Sequence, residues 1–249
     1  MQGQLQLFFG AMTYFTRIPC GRLAGDSKDN LQHAIAYLPL VGIFVGMAAA
    51  VSYIVSGWLL PQTIAVLLSM LTTVLLTGAL HEDGLADSMD GLGGGWSSEQ
   101  ILSIMKDSRI GNFGAIALFL TLLIKFQSLL ALKPDVMVFT LIAGHALSRF
   151  AAVLLMTTMD YARESGKAKA FAQSISPAEL AKATLFGLTP LALLDVKFWW
   201  SLILVGIIWI SFKRKLGVAI GGYTGDCLGA MQQLCEVGFY VGVLACSSI

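Results

Sequence analysis

The segment His81-Glu82-Asp83-Gly84-Leu85-Ala86-Asp87-Ser88-Met89-Asp90-Gly91 concentrates acidic chemistry, with Asp83, Asp87 and Asp90 at i, i+4 and i+7. On a helix this spacing puts three carboxylates on one face. Carboxylates about 5.5 Å apart repel by roughly 3 kcal/mol per pair at an effective dielectric of 20, so the pattern calls for compensation. A divalent cation is the simplest form of it. Carboxylates with open water positions suit Mg²⁺, which then binds substrate phosphates. The spacing does not fit an EF-hand, and His81 has no histidine at i+4 to make a zincin. The plain alternative is a solvated acidic helix end at a membrane surface. Glycines follow at Gly91 and Gly93-Gly94-Gly95. They let the chain turn, or let backbone N–H groups approach a phosphate.

Other residue types complement the acids. Lys106 and Arg109 in Met105-Lys106-Asp107-Ser108-Arg109-Ile110-Gly111 can neutralise phosphate oxygens, Arg bidentately. Simple anchoring at the membrane surface explains them equally well. His145 and Arg149 stand at i and i+4 inside an apolar run, where ionisable residues default to a functional reading. Arg149 could reach a recessed site or pair with a buried carboxylate. His145 and an acidic-motif aspartate are both candidates for a general base, and a hydrogen-bonded core histidine is the alternative. Asp226, among the small residues of Gly221–Ala230, is a candidate metal ligand or an N-cap. Cys20, Cys227, Cys235 and Cys246 form no CxxC pair and read as small unpaired residues.

The elements that position these residues are membrane helices. Of 249 residues, 56% are hydrophobic and only 12% charged, against about 25% charged in soluble domains. Mean hydropathy is +0.76. The net charge of +1 gives no argument for a nucleic-acid partner. Apolar runs at Tyr37–Leu60, Thr63–Leu80, Phe113–Leu132, Val136–Thr158, Ala183–Leu194, Phe198–Phe212 and Val237–Ile249 predict an all-α, polytopic bundle of six to seven spans in one domain, residues 1–249. Gly221–Gly229 reads as the unwound start of the last one, and Leu5–Ile18 as a helix in the interface. Alternating spans gather Arg17, Arg22 and Lys28 with Lys106, Arg109, Arg163, Lys167, Lys169, Lys182, Lys213, Arg214 and Lys215 on one side. Lys133 and Lys197 fall opposite, so the first side is expected to be cytoplasmic. Every motif described above falls on it. A transporter would favour acids along a path near the midplane. A CDP-alcohol phosphotransferase would place Ala-Arg after its Asp-Gly, whereas Gly84 is followed by Leu85-Ala86-Asp87.

Taken in order, TRIP at 16–19, HEDGLADSMDGLGGG at 81–95, MKDSRIGNFG at 105–114, Ser148-Arg149, Tyr161-Ala162-Arg163 with Gly166, and GGYTGDCLGA at 221–230 resemble the cobalamin synthase family over nearly the whole chain. The resemblance implies a reaction joining adenosylcobinamide-GDP to α-ribazole or its 5′-phosphate, with release of GMP. It implies Mg²⁺, the bacterial inner membrane, and room for homo-oligomers or contacts with other cobalamin-assembly enzymes. Residue by residue it places Asp83, Asp87, Asp90 and Asp226 among the acids, with Glu82 as an additional metal ligand. Arg17, Lys106, Asp107 and Arg109 match its basic motifs, with Arg149 behind them. Ser88-Met89 departs from the threonine-containing version of the acidic motif, which removes those side chains from the ligand set.

Overall fold

The computed structural model describes residues 2–24, 30–163 and 175–247. Lys28, Gly166, Lys167 and Lys169 lie outside the described residues, as does the very end of the last apolar run. The regular elements among the described residues are helices, and the extended pairing is one isolated parallel bridge between Tyr161 and Tyr223. In chain order these are α1 (Gln2–Phe15), α2 (Gly21–Ala24), α3 (Asn30–Ala34), a 3₁₀ turn Ile35–Tyr37, α4 (Leu38–Gly57), α5 (Gln62–Thr77), α6 (Leu80–Gly94) and α7 (Ser98–Ile104). Then come α8 (Asn112–Leu130), α9 (Pro134–Met156), α10 (Pro177–Leu188), 3₁₀ turns Thr189–Leu193 and Val196–Trp200, α11 (Ser201–Ile220) and α12 (Gly225–Ser247).

Four stretches are long and apolar enough to cross a bilayer: Gln32–Gly57, Asn112–Leu130, Pro134–Met156 and Gly225–Ser247. The bent pair α5–α6 makes a fifth if counted as one broken span. The protein is therefore an all-α polytopic membrane protein. Its outer face shows why, because Val51, Leu71, Ile116, Phe119 and Ile203 are exposed around the bundle and need lipid as their solvent. The six to seven spans expected from hydropathy differ from this picture in two places. The run Ala183–Leu194 is interrupted when α10 ends at Leu188 and Pro190 enters a 3₁₀ turn. The 12 residues of α10 extend about 18 Å, well short of a bilayer core of about 30 Å. The run Phe198–Phe212 does form a helix, but α11 continues to Ile220 and carries Lys213, Arg214 and Lys215 within it.

The last helix is longer than its apolar run. α12 begins at Gly225 and is continuous, with Thr224 Oγ1 accepting from Cys227 N (3.3 Å) at its start. Its polar residues Gln232, Gln233 and Glu236 are buried in the bundle. The N-terminal segment is helical as expected, and α1 packs Ala11, Met12 and Phe15 into the core.

Two sets of contacts mark the ends of the bundle. At one end Gln62 Nε2 donates to Leu130 O (3.3 Å), joining the α4–α5 link to the end of α8. At the other, Arg17 N donates to Leu76 O (2.7 Å), and Tyr223 N donates to Asp160 O (2.9 Å). This second end holds the acidic segment.

There α5 stops at Gly78 and α6 starts after Ala79, and the two helices are bent by 86°. Both linking residues are left-handed, with φ of 66° at Gly78 and 59° at Ala79. An alanine in this region costs about 1–2 kcal/mol, so the bend is held by its surroundings. Instead of prolonging α5, the acidic segment lies across the first turns of α8 and α12. A Cβ at Gly84 would come within 2.7 Å of Asp226 O and 3.2 Å of Gly229 Cα. Only small residues at this crossing let the two backbones meet so closely.

Candidate active site

Asp83 faces outward from α6 into a cavity of about 260 Å³, shared with Asp226, Arg163 and His81. The remaining wall is apolar, with Phe15, Ile35, Leu38 and Leu228 among its residues. Asp226 sits in the first turn of α12, and its Oδ2 lies 2.8 Å from Arg163 Nη2. Thr224 Oγ1 also donates to that oxygen at 3.4 Å. Asp87 is half-buried one turn along from Asp83, within reach of the charges of Asp83, Asp226 and Asp90. A carboxylate from α12 thus comes beside those of Asp83 and Asp87 on α6.

Asp90 is held differently. Its Oδ2 accepts from Gly111 N (2.7 Å) and its Oδ1 from Gly114 N (2.8 Å). These are N–H groups of the first turn of α8, which has no side-chain cap of its own. A Cβ at Gly111 or at Gly114 would collide with this carboxylate. The glycines of the second motif therefore make room for the last aspartate of the first, and the two motifs interlock. Asp90 was expected as a metal ligand, and the structure gives both its oxygens backbone partners.

Beyond Asp90 a second, more open cavity of about 630 Å³ is lined by Asp107, Arg109 and Asn112. Arg109 Nη2 donates to Asp107 Oδ2 (2.6 Å) and its Nε to Oδ1 (3.1 Å). The Arg109 guanidinium holds the Asp107 carboxyl down at about 2. Lys106 is exposed on the same loop. Arg17 is exposed too, with its guanidinium packed against Gly78 at the bend.

The structure does not bring every expected residue to the first cavity. Glu82 turns into the bundle, where its Oε1 accepts from Gln233 Nε2 (3.0 Å). His145 and Arg149 are also interior, at 2% and 1% exposure. His145 Nδ1 lies 2.9 Å from Glu236 Oε2, and Arg149 Nη1 donates to His145 O (3.0 Å). Lys125 from α8 completes the cluster as an ion pair with Glu236 Oε1. This network links α6, α8, α9 and α12, and neither His145 nor Arg149 lines the cavity of Asp83. Its buried atoms include several without a hydrogen-bond partner among the described residues, such as Glu82 Oε2, His145 Nε2 and Arg149 Nε.

Reading the sequence by itself misses three contributors. Glu236 stands four residues after Gln232 and four before Tyr240, a buried polar stripe at helical spacing that was available as a signal. Lys125 passes for a snorkelling lysine. Arg163 passes for an anchoring charge, since nothing local announces its partner on α12.

Hard oxygen donors suit Mg²⁺, and the first cavity offers Asp83 and Asp226 with Asp87 beside them. Among the described residues, no three His, Cys, Asp or Glu side chains converge tightly enough to enclose an ion. Mg²⁺ in phosphate-transfer sites is commonly held by one or two carboxylates plus waters and substrate phosphates. The donor set fits that mode and not a closed protein cage.

Residues 7–244 match the family profile described as cobalamin-5-phosphate synthase. The chain belongs to that family. Cobalamin-5-phosphate synthase relatives include proteins named adenosylcobinamide-GDP ribazoletransferase from three organisms. The one from Shewanella oneidensis is 42% identical, covering 99% of this chain and 96% of the relative. The Shewanella frigidimarina protein is 43% identical over 97% and 95%, and that of Ralstonia pickettii 45% over 96% and 95%. No solved structure matches this cobalamin-5-phosphate synthase family member significantly.

Proposed function

We propose that the chain transfers the adenosylcobinamide phosphoryl group from adenosylcobinamide-GDP to α-ribazole or its 5′-phosphate, with Mg²⁺, at the cytoplasmic face of the bacterial inner membrane. A ribose hydroxyl oxygen forms a bond to the phosphorus that carries the cobinamide chain. The bond from that phosphorus to the bridging oxygen breaks, GMP leaves with that oxygen, and the hydroxyl proton is released. Such transfers need positioning and charge neutralisation more than covalent help from the protein. The observation that carries the reading is that Asp83 of α6 and Asp226 of α12 share one cavity with Arg163 and His81.

Within this reading Asp83 and Asp226 hold the metal, with Asp87 adjacent. The metal supplies neutralisation of the diphosphate oxygens and of the leaving phosphate. Asp90 keeps α6 docked on α8, so the carboxylates stay at the mouth of the bundle. Asp107 and Arg109 line the approach on the far side of Asp90, with Lys106 exposed on the same loop, and Arg109 offers its charge to a substrate phosphate. The apolar wall formed by Phe15, Ile35 and Leu38 excludes water from one side of the site.

The test uses the purified protein with adenosylcobinamide-GDP and α-ribazole phosphate, with and without Mg²⁺. GMP release is expected only with the metal. Asp83→Asn is expected to abolish it while the protein still inserts and folds. Undiminished release by Asp83→Asn would remove this carboxylate from the reaction.

A further inference from the structure

Arg163 has an unusual position for an arginine beside a carboxylate cluster. The backbone just before it is tied to the link that leads into α12, because Ala162 N donates to Tyr223 O (2.9 Å) and Tyr223 N donates to Asp160 O (2.9 Å) on either side of the Tyr161–Tyr223 bridge. Its side chain is 12% exposed and spans the cavity to Asp226. Yet the contact is a charge pair more than a saturated fork. Nε and Nη2 of Arg163 make no well-formed hydrogen bond among the described residues. Guanidinium donors normally find acceptors when buried. The guanidinium thus holds Asp226 by charge at the cavity wall without a saturated set of bonds.

The charge count points the same way. Among the described residues Asp83 and Asp226 line the cavity with Asp87 close behind, and Arg163 is the Lys or Arg on its wall. Within that set one guanidinium faces three carboxylates. His81 also borders the cavity and is 6% exposed.

We propose that Arg163 is a displaceable counter-ion: it neutralises Asp226 while the site is empty, and gives that carboxylate up to a divalent cation when its own charge is taken by a substrate diphosphate. This rests on the transferase reading for the identity of the diphosphate. The anchored backbone keeps the guanidinium within reach of both partners, so only side-chain torsions need change. The arrangement makes metal and diphosphate bind cooperatively, since each relieves a charge left unpaired by the other.

The test measures binding directly. Mn²⁺ replaces Mg²⁺ and is followed by electron paramagnetic resonance, with inorganic pyrophosphate as the diphosphate. Arg163→Gln is expected to bind Mn²⁺ alone about tenfold more tightly than the unsubstituted protein, and to bind pyrophosphate in the presence of Mn²⁺ about tenfold more weakly. Arg163→Lys keeps the charge and should restore most of the Mn²⁺ behaviour while recovering pyrophosphate binding only in part. Asp226→Asn removes the pair from the other side and should lose Mn²⁺ binding. Unchanged or weaker Mn²⁺ binding by Arg163→Gln, with its thermal unfolding intact, overturns the proposal. If Arg163→Gln unfolds, Arg163→Lys decides alone: pyrophosphate affinity equal to that of the unsubstituted protein overturns it, and a clear loss supports it. Because neither readout uses GMP release, the counter-ion role can stand where the transferase reading falls, and the reverse.

Discussion

The interlock at Asp90 gives the sharpest prediction. Two oxygens of one carboxylate, 8% exposed, accept from two backbone N–H groups at the start of α8. Hydrogen bonds to a charged group contribute about 1.5–3 kcal/mol each. Asp90→Asn keeps one acceptor oxygen and turns an amide NH₂ toward the other N–H. The expected loss is about 2–3 kcal/mol, one charge-assisted bond and part of the second. Gly114→Ala tests the same contact without touching the charge. Its Cβ would lie 2.6 Å from Ala86 O and overlap the Asp90 carboxylate, costing about 1–3 kcal/mol by overpacking. The double substitution should lose less than the two separate losses together, because both disturb one contact. Equilibrium unfolding in mixed micelles, followed by tryptophan fluorescence, measures all three. The reasoning is refuted if Asp90→Asn stays within about 0.5 kcal/mol of the parent while its Mn²⁺ binding disappears. That result would make Asp90 a ligand instead of an anchor.

Three further outcomes are expected. Glu236→Gln strands Lys125 in the bundle and should destabilise by about 3–5 kcal/mol, whereas adding Lys125→Met should recover much of that loss in the same unfolding assay. Ala79→Gly removes an unfavourable left-handed alanine and should leave stability unchanged or raise it by up to about 1 kcal/mol, while Ala79→Val should lower it. The Asp107 carboxyl, held at about 2 chiefly by its hydrogen bonds from Arg109, keeps its charge at any working pH. Its depressed value means that whatever the pair contributes is present above the ordinary aspartate range and fades only as pH falls toward 2. A carboxyl titration by NMR that places Asp107 near 4 would contradict the pair.

How far the sequence carries can be judged from particular residues. The 3.6-residue spacing of Asp83 and Asp87, and the small residues around Asp226, did lead to neighbouring acids at one end of the bundle. Asp90 shared that spacing, but its partners are backbone groups on another helix, and side-chain periodicity says nothing about those. The left-handed pair at Gly78 and Ala79 leaves no mark in the sequence, because alanine carries no turn signal, and it falls inside the apolar run Thr63–Leu80. Pro190 breaks one apolar run that hydropathy reads as continuous, and hydropathy begins the last helix too late because Gln232, Gln233 and Glu236 depress the local average. Those residues are polar because they face one another's helices inside the bundle, which a linear average cannot register. Arg163 and Asp226 meet through a pairing between Tyr161 and Tyr223 that local pattern does not encode.

The right-angle turn after α5 has a geometric consequence for any incoming molecule. Carried straight on, the eleven residues from Leu80 to Asp90 would have climbed about 15 Å along the helix axis, stacking the carboxylates at different heights above the lipid. Turned 86° from α5, the same stretch holds them near a single level along the axis of α5, like studs along a threshold. A bulky guest then needs to settle only to one depth to meet both Asp83 and Asp87.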